Sequence, residues 1–119
     1  MQPQRVRSLV VDDCLEQAEC LARLLEALGH SATFVINPFD AIDAVDALYP
    51  EVVFIDIDMP QVDGWALARM LRARRDGGGL RIVAVSGRDE HADWSALFDA
   101  YLIKPVTVEA LTQEFAVTP

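Results

Sequence analysis

Residues 52–60 read Val52-Val53-Phe54-Ile55-Asp56-Ile57-Asp58-Met59-Pro60. The first four are apolar without alternation and rich in β-branched side chains, the pattern of a strand buried on both faces. That strand runs directly into a carboxylate. Working outward, Val6 to Val11, Ala32 to Ile36, Leu80 to Val85 and Tyr101 to Ile103 read as four more strands of the same kind. Helical spacing fills the intervals. Leu15 to Leu28 places Leu15, Ala18, Leu21, Ala22, Leu25 and Leu28 on one face, with Gly29 at the C-cap. Asn37 is a candidate N-cap before Pro38, and the helix to about Leu48 turns Ala41, Ile42, Val45 and Leu48 inward. Asp40, Asp43 and Asp46 repeat on its other side as a solvated face. Trp65 to about Arg75 turns Trp65, Ala68 and Leu71 inward and crowds Arg69, Arg72, Arg74 and Arg75 at its end, where the helix dipole favours cations. Asp89 to about Phe98 is a short, poorly periodic helix, and Val108 to Val117 is a last helix with Val108, Leu111 and Phe115 inward. Five βα units in a row predict an α/β, doubly wound parallel sheet covered by helices on both faces.

In such a sheet, ligands bind beyond the carboxyl ends of the strands. The first strand ends in Asp12-Asp13, the third in Asp56 and then Asp58, the fourth in Ser86 and the fifth in Lys104. Carboxylates gathered at one sheet edge repel each other, and a hard divalent cation resolves the conflict. Oxygen donors with room for waters suit Mg²⁺. A carboxylate can attack phosphorus and become an acyl phosphate, while a metal and an ammonium neutralise the phosphoryl oxygens. Asp13 as a simple cap of the first helix is the plain alternative for that residue.

The chain has 119 residues, 52% hydrophobic and 24% charged, which suits one globular domain, residues 1–119 with a core of about 6–117. The formal net charge is -9, and residues 1–59 carry eleven acids against three arginines. A chain this acidic is a poor partner for nucleic acid or an anionic membrane surface. No apolar run is long enough to span a membrane, and the stretch before Asp12 is too short for a signal peptide, so a cytoplasmic location is expected. Cys14 and Cys20 lie six apart in one helix and point to different faces, so they are expected as buried or half-buried thiols and not as a disulfide. His30 and His91 fall in or beside loops and are expected to face solvent. Trp65, Trp94 and Phe98 are expected to pack. The single lysine, Lys104, stands beside nine arginines, as a site needing a compact point charge would have it.

These residues resemble the receiver domain of two-component response regulators. The resemblance runs from about Val6 to Phe115 and rests on Asp12-Asp13, on Asp56 to Gly64, on Ser86-Gly87 and on Tyr101-Leu102-Ile103-Lys104-Pro105. It implies a chemotaxis-regulator-like (flavodoxin-like) five-stranded sheet in the order 2-1-3-4-5. It implies that Asp56 takes a phosphoryl group from a phosphohistidine on a histidine kinase or histidine phosphotransfer domain, and that the conformational switch then controls an output protein. Asp13, Asp56 and the backbone carbonyl of Asp58 would hold Mg²⁺, with Asp12 assisting through water. Ser86 and Lys104 would bind phosphoryl oxygens. Tyr101 would be the switch aromatic, turning inward as Ser86 moves. The Lys104–Pro105 peptide is commonly cis in this family. Beyond its own phosphorylation and dephosphorylation, no enzymatic activity is implied.

The interval from Ser86 to Lys104 is short for the family by roughly one helical turn, so the fourth helix is expected to be truncated or irregular. The resemblance implies that Asp58 and Arg88 flank the phosphate and tune how fast water removes it, and a pairing between them across the site mouth would hinder water. The ending Tyr101 to Val106 looks most like receivers fused to hybrid sensor kinases, so the chain is expected to be a stand-alone receiver or a piece of a larger protein. Two rival readings are a receiver-like interaction module that is not phosphorylated and a haloacid-dehalogenase-type phosphatase, whose Asp-x-Asp resembles Asp56-Ile57-Asp58. In the latter, however, that signature ends the first strand.

Overall fold

The computed structural model describes residues 5–60, 63–74, 79–87 and 94–116. The strands are β1 (Arg7–Val11), β2 (Ser31–Val35), β3 (Val52–Asp56), β4 (Arg81–Ser86) and β5 (Ala100–Ile103). The α-helices are α1 (Leu15–Ala27), α2 (Ala41–Leu48), α3 (Gly64–Arg74) and α4 (Val108–Ala116). All strand pairs are parallel, and the sheet order is β2-β1-β3-β4-β5. The expected doubly wound sheet and its order are both present.

Alternate residues along each strand feed two cores. Leu9, Val11, Val53, Ile55, Ile82 and Ala84 pack with Ala41 and Val45 of α2 and with Leu67, Ala68 and Leu71 of α3. Val10, Val52, Phe54, Val83 and Val85 pack on the opposite face with Ala18, Leu21 and Leu25 of α1 and with Leu111 of α4. This two-sided burial is why the strands read as unbroken apolar runs. At α3 the backbone comes very close to the chain leaving β3. A Cβ on Gly64 would lie 2.7 Å from the Ile57 Cα, so only glycine fits.

Between β4 and β5 the described residues show a 3-10 turn, Trp94–Ala96, where the end of a fourth helix was expected. Asp89 to Asp93 lie outside the described residues. The turn is anchored from α3: the Arg72 guanidinium donates to the Leu97 carbonyl at 2.9 and 2.7 Å and to Asp99 Oδ2 at 2.9 Å. Asp99 Oδ2 also accepts the Ile82 N–H at 2.8 Å. Phe98 is buried and meets Trp65 edge to face at 5.1 Å, so both pack as expected. Arg72 and Arg74 therefore have specific partners beyond the dipole. Arg74 pairs with Asp46, which draws that aspartate out of the purely solvated stripe. Arg75 lies outside the described residues.

Several face assignments need correction. Leu15 and Val108, expected inward, are 52% and 46% exposed, and Leu48 is 45% exposed. Each is the first or last residue of its helix. Cys14 and Cys20 are free, as expected of unpaired thiols, but both are exposed and neither is buried or half-buried. His30 does not simply face solvent. It is half-buried, stacks on Phe115 at 3.9 Å and accepts the Val6 N–H on Nδ1 at 3.1 Å. Burial holds its pKa below the ordinary histidine value, against the raising effect of Glu51. His91 lies outside the described residues. No described helix is long and apolar enough to cross a membrane.

Candidate functional site

Parallel register assembles the site. Val11 pairs with Ile55, Asp56 with Val85 and Ser86 with Ile103. Asp12, Asp56, Ser86 and Lys104 therefore arrive at one edge, at the carboxyl ends of β1, β3, β4 and β5. The edge is tied by backbone bonds from Ile57 N–H to the Val85 carbonyl at 3.1 Å and from Lys104 N–H to the Ser86 carbonyl at 2.7 Å. The Lys104–Pro105 peptide is cis.

Asp12 and Asp56 are buried and Asp13 is half-buried, and one carboxylate oxygen from each lies within 4.8 Å of the others. Asp13 does not cap α1; the N-cap is Cys14, which makes no side-chain cap bond, and the Cys14 N–H donates instead to Asp12 Oδ1 at 2.9 Å. Burial raises the Asp12 pKa above the usual aspartate value, and the Asp56 charge adds to it, against the lowering effects of the Cys14 N–H and Lys104. Three carboxylates in this space suit a small hard cation that takes oxygen ligands. The donor set therefore fits Mg²⁺.

Asp56 is held on both oxygens. Oδ1 accepts the Asp58 N–H at 2.9 Å, and Oδ2 faces Lys104 Nζ at 3.1 Å. Lys104 Nζ also stands 3.5 Å from Asp12 Oδ2. Burial works against the lysine charge, but the Asp56 hydrogen bond and the Asp56 and Asp12 charges outweigh it and raise the pKa. The site is thus an acidic cluster with one ammonium braced against the central carboxylate.

Ser86 is fully buried, and its hydroxyl donates to Asp58 Oδ2 at 2.8 Å. The Gly87 N–H donates to the same oxygen at 3.1 Å. Asp58 thus faces Ser86 and Gly87. Its expected pairing with Arg88 lies outside the described residues. Tyr101 is half-buried on β5, with its ring 5.9 Å from that of Trp94.

Two features of this region escaped sequence reading. Gln17 of α1 accepts a hydrogen bond from Lys104 Nζ on Oε1 at 2.6 Å. A cavity of about 320 Å³ opens beside it, between α1 and the segment after β5, lined by Leu21, Leu24, Val106 and Cys20 among others. Only the isolation of Lys104 as the single lysine hinted that a partner would be provided for it. Away from the site, buried Glu114 pairs with Arg81. Its place one turn after Leu111 on the inward stripe of α4 was the signal.

The family model described as "Response regulator receiver domain" matches residues 8–116. Response regulator MprA of Mycobacterium sp. (strain KMS) is 36% identical over 110 residues, covering 89% of this chain and 47% of that protein. The chain spans about half the length of the curated relatives it matches. A CheY-like response regulator receiver domain from Methylobacillus flagellatus superposes with a TM-score of 0.87 at 35% identity, covering 95% of this chain and 98% of that one. A response regulator signal receiver domain from Bermanella marisrubri gives 0.77 at 28% identity, covering 95% and 97%.

Proposed function

Because this chain belongs to the response-regulator receiver domains of two-component signalling, we propose that Asp56 is its phosphoacceptor and that residues 1–119 act as one receiver domain with a core of about 6–117. The observation that carries this reading is the Asp56 carboxylate, buried at the end of β3, 3.1 Å from Lys104 Nζ and clustered with Asp12 and Asp13.

In the reaction, a carboxylate oxygen of Asp56 attacks the phosphorus of a partner's phosphohistidine. The new P–O bond forms as the P–N bond breaks, and the imidazole leaves with the bonding pair. Bonds from the Asp58 N–H and Lys104 fix the carboxylate's orientation before the donor arrives. Lys104 then meets the charge on the phosphoryl oxygens as a point charge on a flexible stem. The carboxylates of Asp12, Asp13 and Asp56 and the backbone carbonyl of Asp58 would hold Mg²⁺, with Asp12 reaching it through water. When bound, it supplies further neutralisation of the phosphoryl oxygens.

Ser86 donates to a phosphoryl oxygen after leaving Asp58. Its displacement frees space for the Tyr101 ring to turn inward, and that two-state element carries the signal. The partners are a histidine kinase or histidine phosphotransfer domain on the donor side and an output protein on the other, in the cytoplasm. Catalysis extends only to the domain's own phosphorylation and dephosphorylation.

Beryllofluoride, which mimics a phosphoryl group on a carboxylate, tests the reading. In the presence of Mg²⁺ it should perturb the amide spectrum of the wild-type protein around Ser86 and Tyr101, and an Asp56→Asn variant should not respond. An equal response from the variant, or none from the wild type, would contradict the assignment.

A further inference from the structure

An ammonium has three N–H donors and no preferred plane, so its acceptors decide where it stands. Among the described residues, three acceptors face Lys104 Nζ: Asp56 Oδ2 at 3.1 Å, Asp12 Oδ2 at 3.5 Å and Gln17 Oε1 at 2.6 Å. Two are carboxylates of the acidic cluster. The third, and the shortest, is a neutral amide from an exposed position of α1, 87 residues away in the chain.

From this we infer that Gln17 is a positioning residue, which holds the Lys104 ammonium at a fixed place beside Asp56 and thereby sets how fast Asp56 is phosphorylated. The inference rests on the phosphoacceptor reading of Asp56. With the two carboxylates alone, the long stem leaves the ammonium free to swing out toward solvent on the α1 side. Gln17 supplies an acceptor on that side. Its neutrality also matters. The cluster already gathers three carboxylates, and Glu16 and Glu19 flank Gln17 in sequence. A charged acceptor at this position would compete with Asp56 for the same ammonium, whereas the amide supplies an acceptor without that competition.

The single lysine makes the inference directly measurable. A chain labelled with ¹⁵Nζ-lysine gives one side-chain ammonium signal, that of Lys104. In the wild type this signal should be protected from solvent exchange. In Gln17→Leu, which keeps the bulk but not the acceptor, exchange should quicken by about threefold or more, and phosphorylation by acetyl phosphate with Mg²⁺ should slow about three- to tenfold, the scale of losing one ordinary hydrogen bond of about 1 kcal/mol. Gln17→Glu keeps an acceptor, so the signal should stay protected while phosphorylation still slows. Residue 17 is exposed and all three side chains suit a helix, so the melting temperatures should match.

An unchanged ammonium signal in Gln17→Leu overturns the inference, and so does a wild-type phosphorylation rate in that variant. The two levels of failure are distinguishable. A wild-type protein that takes no phosphoryl group sinks the phosphoacceptor reading and the kinetic role of Gln17 with it. A wild type and a Gln17→Leu variant phosphorylated at the same rate sink the positioning role alone.

Discussion

The Ser86 hydroxyl donates to Asp58 Oδ2 at 2.8 Å, and the Gly87 N–H reinforces the same acceptor at 3.1 Å. A hydroxyl has one proton to donate. Ser86 cannot serve a phosphoryl oxygen on Asp56 through that proton while it serves Asp58. On the proposal that Asp56 is the phosphoacceptor, the Asp58 carboxylate would favour the unphosphorylated arrangement, a role distinct from obstructing water.

It follows that Asp58→Ala should tighten beryllofluoride binding in the presence of Mg²⁺, since the Ser86–Asp58 bond no longer has to break. The gain should be about three- to tenfold, matching about 1 kcal/mol for one hydrogen bond. A titration followed by intrinsic fluorescence measures it. Unchanged or weaker binding would show that the Ser86–Asp58 bond does not oppose the switch.

The acidic cluster stores like-charge repulsion. Asp12 has a folded-state pKa raised by burial and by Asp56. A raised carboxylate pKa means that the native state binds the proton more tightly than the unfolded chain does. The ionised form thus weakens the fold at neutral pH, and the penalty is relieved as pH falls through the folded pKa. Without divalent cations, Asp12→Asn should melt a few degrees above the wild type. Adding Mg²⁺ should raise the wild-type melting temperature more than that of the variant. Equal responses to Mg²⁺ would argue against Asp12 belonging to the metal site.

His30 gives the opposite sign. Its pKa is lowered by burial, and Nδ1 must be unprotonated to accept the Val6 N–H. The native state then binds fewer protons than the unfolded chain does. This contribution is complete above the ordinary histidine value and is lost as pH falls toward the lowered one. Urea unfolding between pH 7.5 and 5 should show stability declining with acidification. His30→Asn, whose Oδ1 can accept without titrating, should flatten this part of the profile. An identical slope in the two proteins would remove His30 from the account.

Much of this molecule is legible in its residues because a doubly wound sheet imposes simple demands. Val52 to Ile55 must be apolar at every position because both faces are covered, and the first polar residue after the run, Asp56, falls at the site edge. The same logic finds Asp12, Ser86 and Lys104. What stays hidden depends on distances along the chain. Gln17 meets Lys104, and Arg72 meets Leu97 and Asp99, through tertiary placement that no periodicity encodes. Helical spacing likewise marks Leu15 and Val108 as inward, yet each is the first residue of its helix and is exposed. Asp58 was legible as a neighbour of Asp56. Its bond to Ser86 was not, because it depends on how β3 and β4 align.

The central claim is that Asp56 accepts a phosphoryl group. The most direct measurement is intact-protein mass after incubation with Mg²⁺ and acetyl phosphate, beside an Asp56→Asn variant. One phosphoryl group should be added to the wild type and lost when the sample is warmed in hydroxylamine, with none on the variant. A wild type of unchanged mass, or a variant that gains the same adduct, would contradict it.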